Sequence, residues 1–232
     1  EEFAASFSPL PREAVLRSVE KKKETKNPPF LYNLAELQND CARILKIDPD
    51  GTLSAVQELY EKRLTTYPRT DARVLSSAVA REIEKNLRGL LSYPPCKKYA
   101  EEILTGNQYQ GIEKSRYTDD KKISDHYALI PTGQGLREFS ALSPISRRIY
   151  ELIVRRFLSI FYPPAVYDRL SLRIECAGES FLANSRSLRE PGYLGILGTG
   201  RRRREGGRRA ERGRLLERSF ERDRSSSFGA LR

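Results

Sequence analysis

The sequence predicts an α+β fold, mainly helical, in which a helical body gives way to β-strands close to Pro163. Three observations carry this. Apolar residues recur at helical spacing in segments between 33 and 162, they alternate with polar residues between 166 and 188, and Pro163-Pro164 separates the two regimes.

Residues 14–20 read as a strand, and the lysine-rich, proline-closed run 21–29 reads as a solvated linker. A first helix spans 33–45, with Asn33 as cap, Glu36 at the third position, and Leu34, Leu37, Cys41 and Ile44 on one face. Asp48-Pro49-Asp50-Gly51 reads as a turn. A second helix, capped by Thr52, then turns Leu53, Val56, Leu59 and Tyr60 inward. Leu64-Thr65-Thr66-Tyr67 is strand-like, so helix, turn, helix and strand are compatible with a winged-helix core, a pattern also common in proteins that never touch DNA.

A third helix is expected over 77–91 on Val79, Ile83, Leu87 and Leu90, and a shorter one over 97–104, stopping before Gly106. The strongest helix signal opens at Ser143-Pro144, a cap followed by proline at the first helical position, and runs to Tyr162. Beyond Pro163, Val166, Leu170, Leu172 and Ile174 alternate, and a second run covers 180–188, giving two antiparallel strands joined near Gly178. The boundaries predicted are a strand and linker at 1–30, a helical domain at 31–163, strands at 164–198 and an arginine-rich tail at 199–232.

That tail holds twelve arginines against five acids and too little apolar surface to offset its ordering entropy, so disorder is expected. It reads as a solvated basic tail or as one that binds nucleic acid. The abrupt change of composition after Gly198 also fits an altered reading frame.

With 232 residues the chain can bury a real core, and its net charge of +11 favours an anionic partner, nucleic acid first. The body is only mildly basic, with 30 basic against 26 acidic residues outside the tail. No apolar stretch approaches the roughly 18 to 20 residues of a membrane span and no signal-peptide pattern opens the chain, so an intracellular protein without membrane attachment is expected. Cys41, Cys96 and Cys176 are distant and form no CxxC pair, so they read as reduced small residues. His126 is the single histidine, which excludes a His-rich metal cluster. A chain that starts at Glu1 and holds neither Met nor Trp reads as a fragment.

The most informative stretch is Arg63-Leu64-Thr65-Thr66-Tyr67-Pro68-Arg69-Thr70-Asp71. A free tyrosine hydroxyl, with a pKa of about 10, needs nearby positive charge or a base to act as a nucleophile at neutral pH. In extended backbone Arg69 lies on the same side as Tyr67, where its guanidinium can favour the phenolate and grip a phosphate. Pro68 disfavours helix at Tyr67, and Thr66, Thr70 and Asp71 can brace the loop. Tyr-Pro-Arg also occurs as an ordinary surface turn, and the residues alone leave both readings open.

Thr65-Thr66-Tyr67-Pro68-Arg69-Thr70-Asp71 closely resembles the active-site motif of type IA DNA topoisomerases, in the Tyr-Pro-Arg form of the topoisomerase III branch. Ser124-Asp125-His126-Tyr127-Ala128-Leu129-Ile130-Pro131-Thr132 resembles a second segment of that branch at the usual distance. Pro28-Pro29-Phe30-Leu31-Tyr32-Asn33-Leu34 with Leu37-Gln38, and Arg155-Arg156-Phe157 with Phe161-Tyr162-Pro163-Pro164-Ala165, are similar to the entry and exit of the tyrosine domain. The resemblance covers about residues 10–198. It departs at Tyr127, where the branch usually carries a second histidine.

The resemblance implies a winged-helix-type tyrosine domain flanked by strands of a β-rich arch. It implies that Tyr67 attacks single-stranded or negatively supercoiled DNA and holds a 5′ phosphate, with Arg69 and His126 as catalytic partners. His126 also reads as a satisfied structural histidine. Arg63, Thr66, Thr70, Asp71 and Gln38 are the DNA-binding candidates. ATP is not expected. Magnesium is expected for the full-length enzyme, bound by an upstream domain whose ligands are not in this chain, so the fragment is expected to be inactive alone. A bacterial cytoplasmic, nucleoid-associated location follows, and no protein partner is identified. The alternative is a non-catalytic nucleic-acid-binding module.

Overall fold

A computed structural model describes residues 14–176 and 178–198, which fall into two compact units. The arginine-rich tail lies outside the described residues, as do the reading-frame and DNA-binding expectations attached to it.

The helical unit comprises Asn27–Pro163 and Gly192–Gly198. Helix α1 (Leu34–Ile44) starts where the Asn33 side chain accepts from the Glu36 N–H at 2.9 Å, and it buries Leu37 and Cys41. Helix α2 (Pro49–Glu61) begins earlier than the sequence suggested. The Asp48 carboxylate accepts from the Gly51 N–H and Pro49 supplies a first-turn residue with no N–H to satisfy, so the expected turn is the opening of the helix. Thr52 is therefore not the cap; it is fully buried one turn in, its hydroxyl donating to the Asp48 carbonyl at 2.9 Å.

The helix expected over 77–91 is broken. Helix α3 (Ser77–Arg81) is capped by Ser76, the Glu82 N–H drops to the Val79 carbonyl in a tightened turn, and helix α4 (Ile83–Gly89) continues into a 3-10 turn at Leu90–Ser92. Helix α5 (Lys97–Thr105) ends at Gly106, and helix α6 (Pro144–Ser159) starts on the Ser143 hydroxyl, which accepts from the Ser146 N–H at 3.0 Å. Helix α7 (Leu194–Leu197) completes the unit.

α2 packs against both α1 and α6, around a core that includes Leu37, Val56, Leu59, Leu64, Leu87, Ile149 and Phe157, all within 1% of complete burial. Each such side chain contributes about 1.5–3 kcal/mol. Tyr60, expected to face inward, is 40% exposed. One polar network crosses this core: Arg156 pairs with Asp40 at 2.7 Å and lies 4.1 Å over the Tyr32 ring, while Tyr32 donates to Asp40 at 2.5 Å.

Burial raises the pKa of several groups. It pushes the thiols of Cys41 and Cys96 up to about 11 and the phenols of Tyr32, Tyr93 and Tyr150 higher still. Because these folded-state values exceed the unfolded ones, their stabilising contribution is complete below the unfolded values, about 8.5 for Cys and 10 for Tyr, and is lost above them. The denaturation midpoint of the chain is expected to hold across neutral pH and to fall steeply above about pH 10. A pH series of denaturant melts checks this.

The second described unit is a three-stranded antiparallel sheet in the order β1 (Val15–Lys26), β2 (Ala165–Cys176), β3 (Glu179–Glu190). The strand expected over 14–20 runs on through Lys26, so the lysines assigned to a linker are ladder residues, with Lys21 opposite Leu170 and Lys26 opposite Ala165. Exposed lysines along this edge discourage pairing with another chain. β2 and β3 form the expected hairpin, and Gly178 supplies a positive φ of 83° in its turn. Across β2, Arg186 reaches Glu24 at 2.9 Å and stacks 3.6 Å from the Tyr167 ring centroid. Among the described residues no helix is long and apolar enough to cross a membrane.

Candidate active site

The two motifs identified separately in the sequence are joined by hydrogen bonds. Thr65 bridges Pro131 in antiparallel sense, the Thr66 N–H donates to the Ile130 carbonyl at 3.0 Å, and the Thr132 N–H donates to the Leu64 carbonyl at 3.0 Å. Side chains tighten the seam. The Thr66 hydroxyl donates to the Ala128 carbonyl and accepts from the Ile130 N–H, and the Thr70 hydroxyl donates to the His126 carbonyl at 2.6 Å. One residue of the histidine segment is also tied to the entry segment, where Leu129 donates to the Tyr32 carbonyl at 2.8 Å.

This seam brings Tyr67 against His126, with ring centroids 4.4 Å apart. Tyr60 also meets Tyr67, edge-on, with ring centroids 5.4 Å apart. A cavity of about 550 Å³ opens here, lined by Tyr60, Glu61, Arg63, Thr66, Tyr67 and His126, with Thr65, Tyr127, Thr132 and Gln134 beside them. Burial holds the Tyr127 phenol above its ordinary value, so it stays a protonated donor at neutral pH. The Thr65 hydroxyl belongs to a buried residue, 2% exposed, beside the cavity and has no hydrogen-bond partner among the described residues.

Of the sequence candidates, Tyr67, His126, Arg63 and Thr66 come together. Arg69 does not line the cavity. The chain turns there, because the Thr70 N–H donates to the Pro68 carbonyl at 3.0 Å, and the Arg69 side chain is exposed instead of running parallel to Tyr67 along an extended strand. Thr70 braces the seam from behind. The Asp71 carbonyl accepts from Asn33 at 3.0 Å, and the Gln38 amide donates to the Pro49 carbonyl at 3.0 Å, which ties α1 to the start of α2. Tyr60, Thr132 and Gln134 escaped sequence reasoning. The Gly133-Gln134-Gly135 run directly after the second motif is the signal that could have found the last.

Arg63 sits in a strained position. It follows α2 at φ +59°, donating to the Tyr60 carbonyl at 2.8 Å, while Leu64 donates to the Leu59 carbonyl at 2.9 Å. This helix-ending pattern normally takes glycine. Holding a non-glycine side chain there costs about 1 kcal/mol, so Arg63→Gly is expected to raise stability by about that amount, which denaturant melts check.

The sequence matches the DNA topoisomerase family over residues 1–217, past the composition break at Gly198 and into the tail. The chain belongs to the DNA topoisomerase family. Its similarity to DNA topoisomerase 3 of Bacillus subtilis strain 168 is 35% identity over 187 residues, covering 80% of this chain and 25% of that protein. DNA topoisomerase 3 of Bacillus cereus strain ATCC 10987 is 34% identical over 184 residues, or 78% of this chain and 24% of the relative. These relatives agree with the topoisomerase III branch that the motifs resemble. This topoisomerase chain spans about a quarter of the length of the curated relatives it matches. The fold is similar to full-length topoisomerase I from Thermotoga maritima, with a TM-score of 0.61 at 21% identity, covering 84% of this chain and 31% of that one.

Among the described residues no group of three or more His, Cys, Asp and Glu side chains could hold a metal ion.

Proposed function

We propose that this chain is the tyrosine-bearing part of a type IA topoisomerase, which cuts and rejoins one strand of single-stranded or negatively supercoiled DNA through a 5′-phosphotyrosine. The observation that carries this is the Tyr67–His126 ring contact, made between two motifs that face one cavity. The Tyr67 oxygen forms a bond to phosphorus as the bond from phosphorus to the 3′ oxygen breaks. The phenolic proton is released and the leaving oxygen takes up a proton. One phosphodiester replaces another, so no ATP is needed.

His126 donates a hydrogen bond to the phosphate oxygens, Arg63 supplies charge at the cavity wall, and Arg69 reaches the phosphate from the rim by a change of side-chain rotamer. We read the helical unit as a winged-helix-type domain, supported by the packed pair α1 and α2 followed by the bridged segments. We assign the magnesium ligands to a part of the enzyme outside this chain, so no step above passes through them. A cytoplasmic setting on the nucleoid suits such a substrate.

Trapping tests the reading. A full-length enzyme carrying this chain, mixed with single-stranded oligonucleotide and denatured, is expected to yield a peptide adduct on Tyr67. An adduct on another side chain would overturn the assignment. The isolated chain is expected to leave negatively supercoiled plasmid unrelaxed on an agarose gel.

A further inference from the structure

Beside the Tyr67 cavity lies a second one of about 700 Å³, and Glu61, Arg63 and Gln134 line both. Its wall adds Lys62, Arg137 and Glu138. The side chains of Lys62, Arg63, Gln134 and Arg137 make no ion pair or hydrogen bond to other described residues, so their donors are uncommitted.

The loop that carries Gln134 is held rigidly. Gly133 and Gly135 both take positive φ, at 77° and 71°. A Cβ on Gly133 would come within 2.7 Å of the Asn86 carbonyl oxygen, and one on Gly135 within 2.2 Å of the Lys62 carbonyl oxygen. From the other side, a Cβ on Gly89 would lie 2.1 Å from the Gly133 carbonyl oxygen. The Thr132 hydroxyl donates to the Arg63 carbonyl and accepts from the Gln134 N–H. Backbone packed this closely on α4 and on the end of α2 fixes where Gln134 stands, while its side chain remains exposed.

We propose that this second cavity is a nucleotide subsite for the DNA end that stays attached to Tyr67. The inference rests on the reading of Tyr67 as the residue that takes the 5′ phosphate, and the wall shared through Glu61, Arg63 and Gln134 gives the nucleotides following that phosphate a path into the second cavity. Lys62, Arg63 and Arg137 carry the backbone phosphates past Gln134. The Gln134 amide both donates and accepts, and the carboxylates of Glu61 and Glu138 accept from exocyclic amino groups. The subsite therefore favours cytosine or adenine over thymine.

The whole chain can be titrated with 5′-phosphorylated oligodeoxynucleotides of one to four residues, each with its dephosphorylated counterpart. Affinity is expected to depend on the 5′ phosphate, to rise about tenfold from the mononucleotide to the trinucleotide, and to favour dC or dA over dT beyond the first position. Arg137→Ala is expected to remove at least threefold of the length increment, and Gln134→Ala to flatten the base preference, with the 5′-phosphate dependence kept in both. A photoreactive base at the second or third position is expected to crosslink within residues 134–138. Wild-type length and base dependence in both variants, or crosslinks confined elsewhere, would overturn the subsite while leaving Tyr67 untouched. Absence of any 5′-phosphate dependence in the unaltered chain would overturn the reading of Tyr67 and the subsite with it.

Discussion

Tyr67→Phe in a full-length enzyme carrying this chain is expected to lower strand cleavage by at least about 10³-fold, with single-strand affinity changed by less than about twofold. The change removes one oxygen, the atom proposed to bond to phosphorus, and leaves the ring that packs on His126 and Tyr60. It leaves the seam between the motifs intact too, since the seam is made by backbone groups and by Thr66, Thr70 and Thr132. A covalent-complex assay and an anisotropy titration on the same preparation separate the two quantities. Residual cleavage within tenfold of the wild type would refute the role of Tyr67.

Asp40→Ala is expected to destabilise the isolated chain by about 3 kcal/mol, read as a lower denaturant midpoint with little change in slope. It leaves the Arg156 guanidinium, whose side chain is only 11% exposed and whose Nε has no partner among the described residues, without its carboxylate and with only the Phe30 carbonyl and the Tyr32 hydroxyl to accept from it. It also removes the acceptor of the Tyr32 hydroxyl. Burial opposes charge on Asp40, yet hydrogen bonds from Arg43 and Tyr32 and the charge of Arg156 outweigh it and hold the carboxyl below its ordinary range. Its contribution is thus present above the unfolded carboxyl value of about 4 and is lost as the pH falls through the lower folded value. The variant should lack that part of the acid transition. Tyr32 also carries the carbonyl that anchors Leu129, so the damage reaches the histidine segment.

Local chemistry was legible in the sequence where one residue decides one outcome. Asn33 and Ser143 cap helices as expected, Pro144 opens α6, and the alternation after Pro163 became β2 and β3. The misplaced start of α2 came from competing local signals, since Asp48 and Thr52 are both cap-forming residues and Pro49 serves either a turn or a first helical position. The strand through Lys26 was hidden because its partner, Ala165, lies far along the chain and the side chains give no apolar alternation.

The site divided along the same line. Tyr67 and His126 could be named from motifs, but their contact depends on a register between segments about sixty residues apart. The turn at Arg69 is closed by a hydrogen bond from Thr70 to Pro68 that the extended reading did not include, and Tyr60 stands 40% exposed at the cavity instead of in the core.

The antiparallel seam has a mechanical corollary. Its cross-links, from Leu64 with Thr132 to Thr70 with His126, lie side by side along the chain direction and not in single file. If a DNA strand is held at Tyr67 as proposed, tension along the chain direction would load these cross-links together, as in lap-joint shear, so that Tyr67 and the His126 segment would be displaced as a single piece.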